Sequence, residues 1–275
     1  MSFHSKARFS PLVPAPPLLS LLLAGAIAAA AGAPCAAWTP QSQRVIGEQA
    51  ARLVPPDLYR QLARNRPSYL VGLADPFKNA AAEDRYLYRD GRGGLDAAIR
   101  RSVQHAIQAI RSHRPFNDIA YRCGVVAHYV ALANNPVFTA ADDPEQNRWA
   151  RDFLSYLESA EPRMELVFYG FEALDRPLDL DRRLAETLDR SRGYYPLVGR
   201  EYRRIGFGSG RQKFDDRSTA YALAALGHSH AISDIAEVLR YIWLEAGGVD
   251  ERPQLPRRGR QFSVLRPNET PPRTR

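Results

Sequence analysis

The sequence has few cysteines and none of the short motifs that identify several common enzyme classes. Only Cys35 and Cys123 occur, too few for the disulfide framework of a small secreted domain. There is no HExxH, no GxSxG, no paired CxxC and no protein-kinase signature. These absences exclude zincin proteases, α/β-hydrolases and kinases that are recognised by those motifs.

Long apolar runs are also scarce, and the clearest lies near the start. Residues 18–31 are rich in Leu and Ala, after Lys6 and Arg8 and before Cys35-Ala36-Ala37. The run is short of the roughly 20 residues that a membrane span needs. A positive start, an apolar run and small residues at a cleavage point are the parts of a secretory signal peptide. We therefore predict that residues 1–37 are removed and that the exported chain, periplasmic or secreted, begins at Trp38.

Two alternatives exist for this leader. It could remain as an uncleaved anchor, although no positive flank follows the apolar run. It could instead be a lipoprotein leader with the lipid on Cys35, although Pro34 fits that poorly. With Cys35 removed, Cys123 is the single thiol of the exported chain, and its apolar neighbours predict a buried structural role.

The basic charge of the chain is concentrated at its end. The full sequence has 38 Lys and Arg against 30 Asp and Glu, but residues 251–275 hold seven arginines and two acids. The body, residues 38–250, is close to neutral, so its charge gives no strong indication of nucleic-acid binding. Pro, Arg and polar residues dominate 251–275, which predicts a disordered tail. Its arginines could hold the protein near phospholipid or another anionic surface.

The body is predicted to be an all-α, single-domain helical bundle with long loops. Apolar residues recur at helical spacing between Pro and Gly breaks, and no sustained strand alternation is found. Helices are predicted at 42–53, 57–65, 95–113, 117–134, 144–159, 180–192 and 217–246. The helix at 117–134 is apolar on all sides, which predicts a central buried position.

Among the histidines, His128 stands out because it is the only strongly polar side chain from Cys123 to Ala133. A buried imidazole needs hydrogen-bond partners or a metal. His230 and Asp234 are four residues apart, a spacing that suits either a metal pair or an ordinary helix contact. The other polar features are predicted to be solvated or structural, namely His105, His113, the acids at 175, 179, 181 and 189, the glycine-rich segment 206–211, and the glycosylation pattern at 268–270.

Three segments together resemble a known family. A Trp follows the predicted cleavage point, Leu53-Val-Pro-Pro56 leads to Tyr69-Leu-Val-Gly-Leu-Ala-Asp75, and Gly124-Val-Val-Ala-His128-Tyr-Val-Ala-Leu132 precedes Asn-Asn-Pro-Val-Phe138. This pattern resembles the zinc-dependent phospholipases C and the related single-strand-specific nucleases, over most of residues 38–160. The resemblance implies an exported all-helical enzyme fold and a zinc cluster. It implies metal ligands at Trp38, through its amine and carbonyl, at Asp75 and at His128.

Other family ligands are missing from this sequence. Leu132 stands where the family has Asp, and Phe138 where it has His. Gln43 or Arg44 occupies the first-helix position, Asp84 or Arg85 the second loop position, and Ala150 and Leu154 a later His/Glu pair. A zinc site normally needs three or four protein ligands, and Leu and Phe supply none.

Two functions follow as alternatives. The first is a non-catalytic exported protein, a pseudoenzyme with a binding or structural role, that kept the fold and lost the cluster. The second is a zinc-dependent phosphodiester hydrolase with a reduced site at Trp38, Asp75 and His128, to which Asp84 could add a further ligand.

Overall fold

The computed structural model describes residues 38–81, 83–87, 91–140, 144–171, 178–207 and 210–250, and a strand at 263–265. The predicted leader, its cleavage site and most of the predicted tail lie outside these residues. The described chain is mainly helical. Its helices are α1 (Pro40–Ala51), α2 (Pro56–Arg64), α3 (Arg66–Ala74), α4 (Pro76–Asn79), α5 (Leu95–Arg111), α6 (Phe116–Ala133), α7 (Pro136–Thr139), α8 (Gln146–Ala160), α9 (Leu180–Ile205), α10 (Gly210–Lys213) and α11 (Thr219–Glu245).

The predicted all-α class is confirmed, and so is the central helix. α6 packs against α1, α3, α5 and α11. From Val126 to Ala133 every side chain of α6 is buried. The thiol of Cys123 is fully buried as predicted, and burial raises its pKa to about 12.

The helices α3 and α6 cross with their main chains in contact. A Cβ on Gly72 would lie 1.9 Å from the Tyr121 carbonyl oxygen, and one on Gly124 would lie 2.1 Å from the Tyr69 carbonyl oxygen. Only glycine allows this approach at either position. The crossing sets the end of α3, and therefore Leu73 and Asp75, directly against α6.

Two helix predictions need correction. The helix ranges predicted from the sequence omit α3. Its Pro67 sits in the first helical turn, where its missing N–H has no intrahelical partner to lose, so the proline begins a helix here and does not break one. α9 continues past Arg192 to Ile205, through Gly193 and Pro196. Burial of Tyr195 and Tyr202 against the body supports this continuation, so α9 is longer than the predicted helix at 180–192 and partly buried.

A short sheet accompanies the helices. β1 (Leu166–Phe168) pairs antiparallel with β2 (Ser263–Leu265), and Val167 lies opposite Val264. The strand β2 falls within the segment predicted to be disordered. Among the described helices, none is long and apolar enough to cross a bilayer.

Candidate functional site

His128 lies on the buried side of α6 and is 1% exposed. Its Nδ1 is 2.9 Å from the Leu73 carbonyl oxygen. Because a carbonyl only accepts, Nδ1 carries the proton and Nε2 keeps its lone pair. Burial lowers the pKa of His128 to about 4, opposed by the bond to Leu73. The imidazole is therefore neutral at physiological pH.

Asp75 follows α3 and is half-buried near His128. Its Oδ2 accepts a hydrogen bond from the Tyr121 hydroxyl at 2.8 Å, and its Oδ1 accepts one from Asn79 Nδ2 at 2.7 Å. Both oxygens therefore bind groups of the protein that join α3, α4 and α6.

Trp38 is held by its side chain. It is 2% exposed, and its indole Nε1 donates to the Ala131 carbonyl at 2.8 Å. The indole ring also meets the His228 ring edge-on, with centroids 4.3 Å apart. The fold thus places Trp38 and Asp75 against α6, at Ala131 and Tyr121, and His128 within it, and the hydrogen bonds of these three side chains described above go to other protein groups.

The positions where the resemblance lacks ligands are part of the core. Leu132 and Phe138 are each 0% exposed, and Ala150 and Leu154 are 5% exposed. The Phe138 ring lies 5.3 Å from that of Tyr86, centroid to centroid. These buried apolar side chains supply no metal ligand.

Gln43 and Arg85 also serve the fold at such positions. Gln43 is fully buried, and its Nε2 donates to the His128 carbonyl at 3.1 Å. Arg85 Nη2 donates to the Phe77 carbonyl at 2.9 Å. Within the described ranges, no group of three or more His, Cys, Asp and Glu side chains is placed to hold a metal ion. The described residues at these positions therefore do not fit a zinc cluster.

Asp84 lies apart from this core, at the edge of a pocket of about 290 Å³. The pocket opens between α5, α6 and the 3-10 turn at Glu83–Arg85. Arg101, Ser102 and His105 line it from α5, and Tyr121, Arg122 and Tyr129 line it from α6. The sequence does not reveal the pocket, because neither α5 nor α6 by itself shows a pattern that predicts a binding site.

The spacing of His230 and Asp234 does not form a metal pair. Asp234 is 4% exposed, and its Oδ2 accepts hydrogen bonds from Asn134 Nδ2, Thr187 Oγ1 and Arg190 Nη2 at 3.0, 2.9 and 2.6 Å. His230 instead stacks on Tyr169, with ring centroids 4.5 Å apart. The carboxylate joins α6, α9 and α11, which is a structural role.

A second buried polar pair was not predicted. His228 Nε2 lies 3.7 Å from Glu161 Oε2, and His228 Nδ1 is 3.1 Å from the Ala224 carbonyl oxygen. Burial raises the pKa of Glu161, but His228 and Ser42 outweigh it and hold that pKa below its usual range. Nothing in the sequence pattern indicates Glu161 as the neighbour of His228.

The all-helical arrangement around α6 is a phospholipase C-like fold, as predicted. It is similar to the alpha-toxin of Clostridium perfringens from an avian strain, with a TM-score of 0.51 and 12% identity over 77% of this chain. The chain spans 65% of that alpha-toxin chain. The alpha-toxin of Clostridium absonum also matches, with a TM-score of 0.48 and 15% identity, over 76% of this chain and 66% of that one.

At these identities the likeness shows the fold alone. No protein-family model matches the chain. No curated protein matches it either.

Proposed function

We propose that this chain is an exported binding protein on a phospholipase C-like fold and that it does not hydrolyse phosphodiesters. The observation that carries the proposal is the burial of Leu132 and Phe138, both 0% exposed, at positions where the family has metal ligands. Zinc-dependent phosphodiester hydrolysis needs metal ions to make a nucleophile near neutral pH and to clamp the phosphate. A core packed with apolar side chains offers neither the ligands nor the space.

Export is proposed from the order of basic, apolar and small residues in 1–37. Mass measurement of the protein recovered from the periplasm or medium tests this. A mass equal to that of a chain beginning at Trp38 supports the proposal, and a mass that still includes the leader contradicts it.

The test of the non-catalytic role uses protein with Trp38 as its authentic N-terminus, because an N-terminal tag would block the amine that the family resemblance assigns to zinc. After dialysis against buffer containing micromolar zinc, elemental analysis should give less than one zinc per chain. Incubation with phosphatidylcholine and with single-stranded DNA should give no product. Stoichiometric zinc, or hydrolysis of either substrate, would overturn the proposal.

One observation favours the second candidate, a hydrolase with a reduced metal site. His128 donates Nδ1–H to the Leu73 carbonyl, and metal-binding histidines commonly hold one ring nitrogen in this way while the other binds the metal. For this candidate, His128→Ala should lower metal content and hydrolysis together. Equal metal content in the variant and the wild type would remove it.

A further inference from the structure

The pocket beside Asp84 contains two guanidinium groups and an imidazole. Arg101 comes from α5 and Arg122 from α6, and His105 stands one helical turn after Arg101 on the same face. The two helices run antiparallel, joined by the short turn at residues 112–115. Their facing sides therefore bring these groups together although they are far apart in sequence.

Each arginine is oriented by one carboxylate. Arg101 Nη2 donates to Asp84 Oδ1 at 2.8 Å, and Arg122 Nε lies 3.2 Å from Asp118 Oδ1. A guanidinium has five N–H donors in a fixed fork. Contact with one carboxylate thus fixes each side chain and leaves further N–H groups at the pocket.

Asp84 is itself held in place. Its turn is tied to the start of α5, because Gly94 N donates to the Glu83 carbonyl at 2.8 Å and Leu95 N donates to the Tyr86 carbonyl at 3.2 Å. A Cβ on Gly94 would come within 2.8 Å of Asp84 Oδ1. The close fit places the carboxylate at the pocket wall with Arg101.

The remaining wall is neutral and partly aromatic. The Tyr129 ring is 8% exposed, and Ala98 and Val125 add small apolar surface. The Tyr121 hydroxyl already donates to Asp75, so it meets a ligand as an acceptor or as ring surface. The pocket thus combines two guanidiniums, one carboxylate and an apolar side within about 290 Å³.

We propose that this pocket binds a small hydroxylated phosphate ester. The phosphate group lies between Arg101, Arg122 and His105, where tetrahedral oxygens can accept from several directions at once. A hydroxyl of the same ligand donates to Asp84, and its carbon skeleton lies against Tyr129 and Val125. The volume suits a ligand the size of glycerol phosphate, free or as the head group of a phospholipid. The inference rests on the proposed function in that the ester is held and not cleaved.

The experiment is isothermal titration of the full exported chain with glycerol phosphate, inorganic phosphate and glycerol, with ³¹P NMR of each phosphate sample. Binding of glycerol phosphate at one site per chain is expected, tighter than that of inorganic phosphate, with no binding of glycerol. Sedimentation with phosphatidylglycerol vesicles, compared with phosphatidylcholine vesicles, tests the lipid source. Binding to the former vesicles that Arg101→Gln and Arg122→Gln abolish, without binding of free glycerol phosphate, would assign the same site to a lipid head group.

Matched variants locate the site. Arg101→Gln and Arg122→Gln should each weaken binding at least about tenfold, as loss of a charge-assisted hydrogen bond does. Arg111→Gln is the control, because its side chain is 54% exposed like that of Arg101 and pairs with Glu245 outside the pocket. His105→Gln, at an exposed rim position, provides a further pocket variant with little effect on folding, which circular dichroism checks for all four.

Equal affinity in the pocket variants and in Arg111→Gln would overturn the site, as would absence of binding to every probe. Release of inorganic phosphate from glycerol phosphate, or of glycerol phosphate from phosphatidylglycerol, seen by NMR, would instead contradict the proposed non-catalytic function and leave the site standing. Absence of both binding and hydrolysis removes the site alone. The two proposals therefore fail by different measurements.

Discussion

The rings of Phe77 and His128 stand nearly perpendicular, at 84°, with centroids 4.7 Å apart. Such an edge-on contact is a favourable packing arrangement for aromatic rings. Together with the Nδ1 bond to Leu73, it makes the imidazole a part of the core that joins α3, α4 and α6. The stability of the fold should accordingly depend on this histidine.

His128→Ala should lower the free energy of unfolding by about 3 kcal/mol. The change opens a cavity and leaves the buried Leu73 carbonyl without its donor. Urea unfolding measures the loss. His105→Ala, at an exposed position, serves as the control and should change stability by less than about 0.5 kcal/mol. Equal losses in the two variants would contradict the structural role.

Gly124→Ala should destabilise the protein by more than about 3 kcal/mol or prevent folding. The added Cβ would meet main-chain atoms of Tyr69 and Leu73 at 2.1 and 2.7 Å, and neither can move without separating α3 from α6. Gly193→Ala is the matched control, since no heavy atom lies within 4 Å of a Cβ there. In the helix α9 that change should stabilise by up to about 1 kcal/mol. Thermal unfolding of both variants checks the contrast.

Acid should destabilise the protein partly through His230. Burial, aided by Arg190 and Arg183 and opposed by Asp234, lowers the pKa of His230 from 6.5 to about 4. Between these values the unfolded chain binds more protons, so stability falls as the pH is lowered from about 6.5 to about 4. His128 acts in the same direction.

His230→Gln should therefore reduce the drop in melting temperature between pH 7 and pH 4 relative to the wild type. An identical pH profile in His230→Gln and the wild type would show that His230 does not contribute.

The arginines of residues 251–275 should bind anionic surfaces in a salt-dependent way. Replacing all seven by Gln is preferable to deletion, because deletion would also remove β2 and its pairing with β1. The variant should lose salt-sensitive binding to phosphatidylglycerol vesicles, measured by co-sedimentation. Retained binding would show that the vesicles bind the body of the protein. Loss of that binding in Arg122→Gln would then assign it to the pocket.

The sequence predicted the helices whose apolar pattern is strong. α5 has a regular buried stripe, and α6 is apolar on all sides, so their period alone defines them. The sequence did not reveal α3 or the second half of α9, because Pro67, Gly193 and Pro196 are local breakers that packing overrides.

Some features of the candidate sites could also be predicted from the sequence and others could not. The burial of His128 and the packing of Leu132 and Phe138 could be expected from their apolar neighbours. The pocket could not, because it needs Arg101 and Arg122 to face each other across two helices and Asp84 to be tied against Gly94. Contacts of this kind depend on tertiary structure and leave no pattern within one segment.

Cys123 gives the central helix a reporter of its own. Its thiol is fully buried and its pKa is about 12, so alkylating reagents meet neither an accessible sulfur nor a thiolate while α6 stays in place. In a chain that begins at Trp38 it is the single sulfhydryl. The rate of its modification therefore measures how often the interior opens, so alkylation of Cys123 reports on unfolding without an added label.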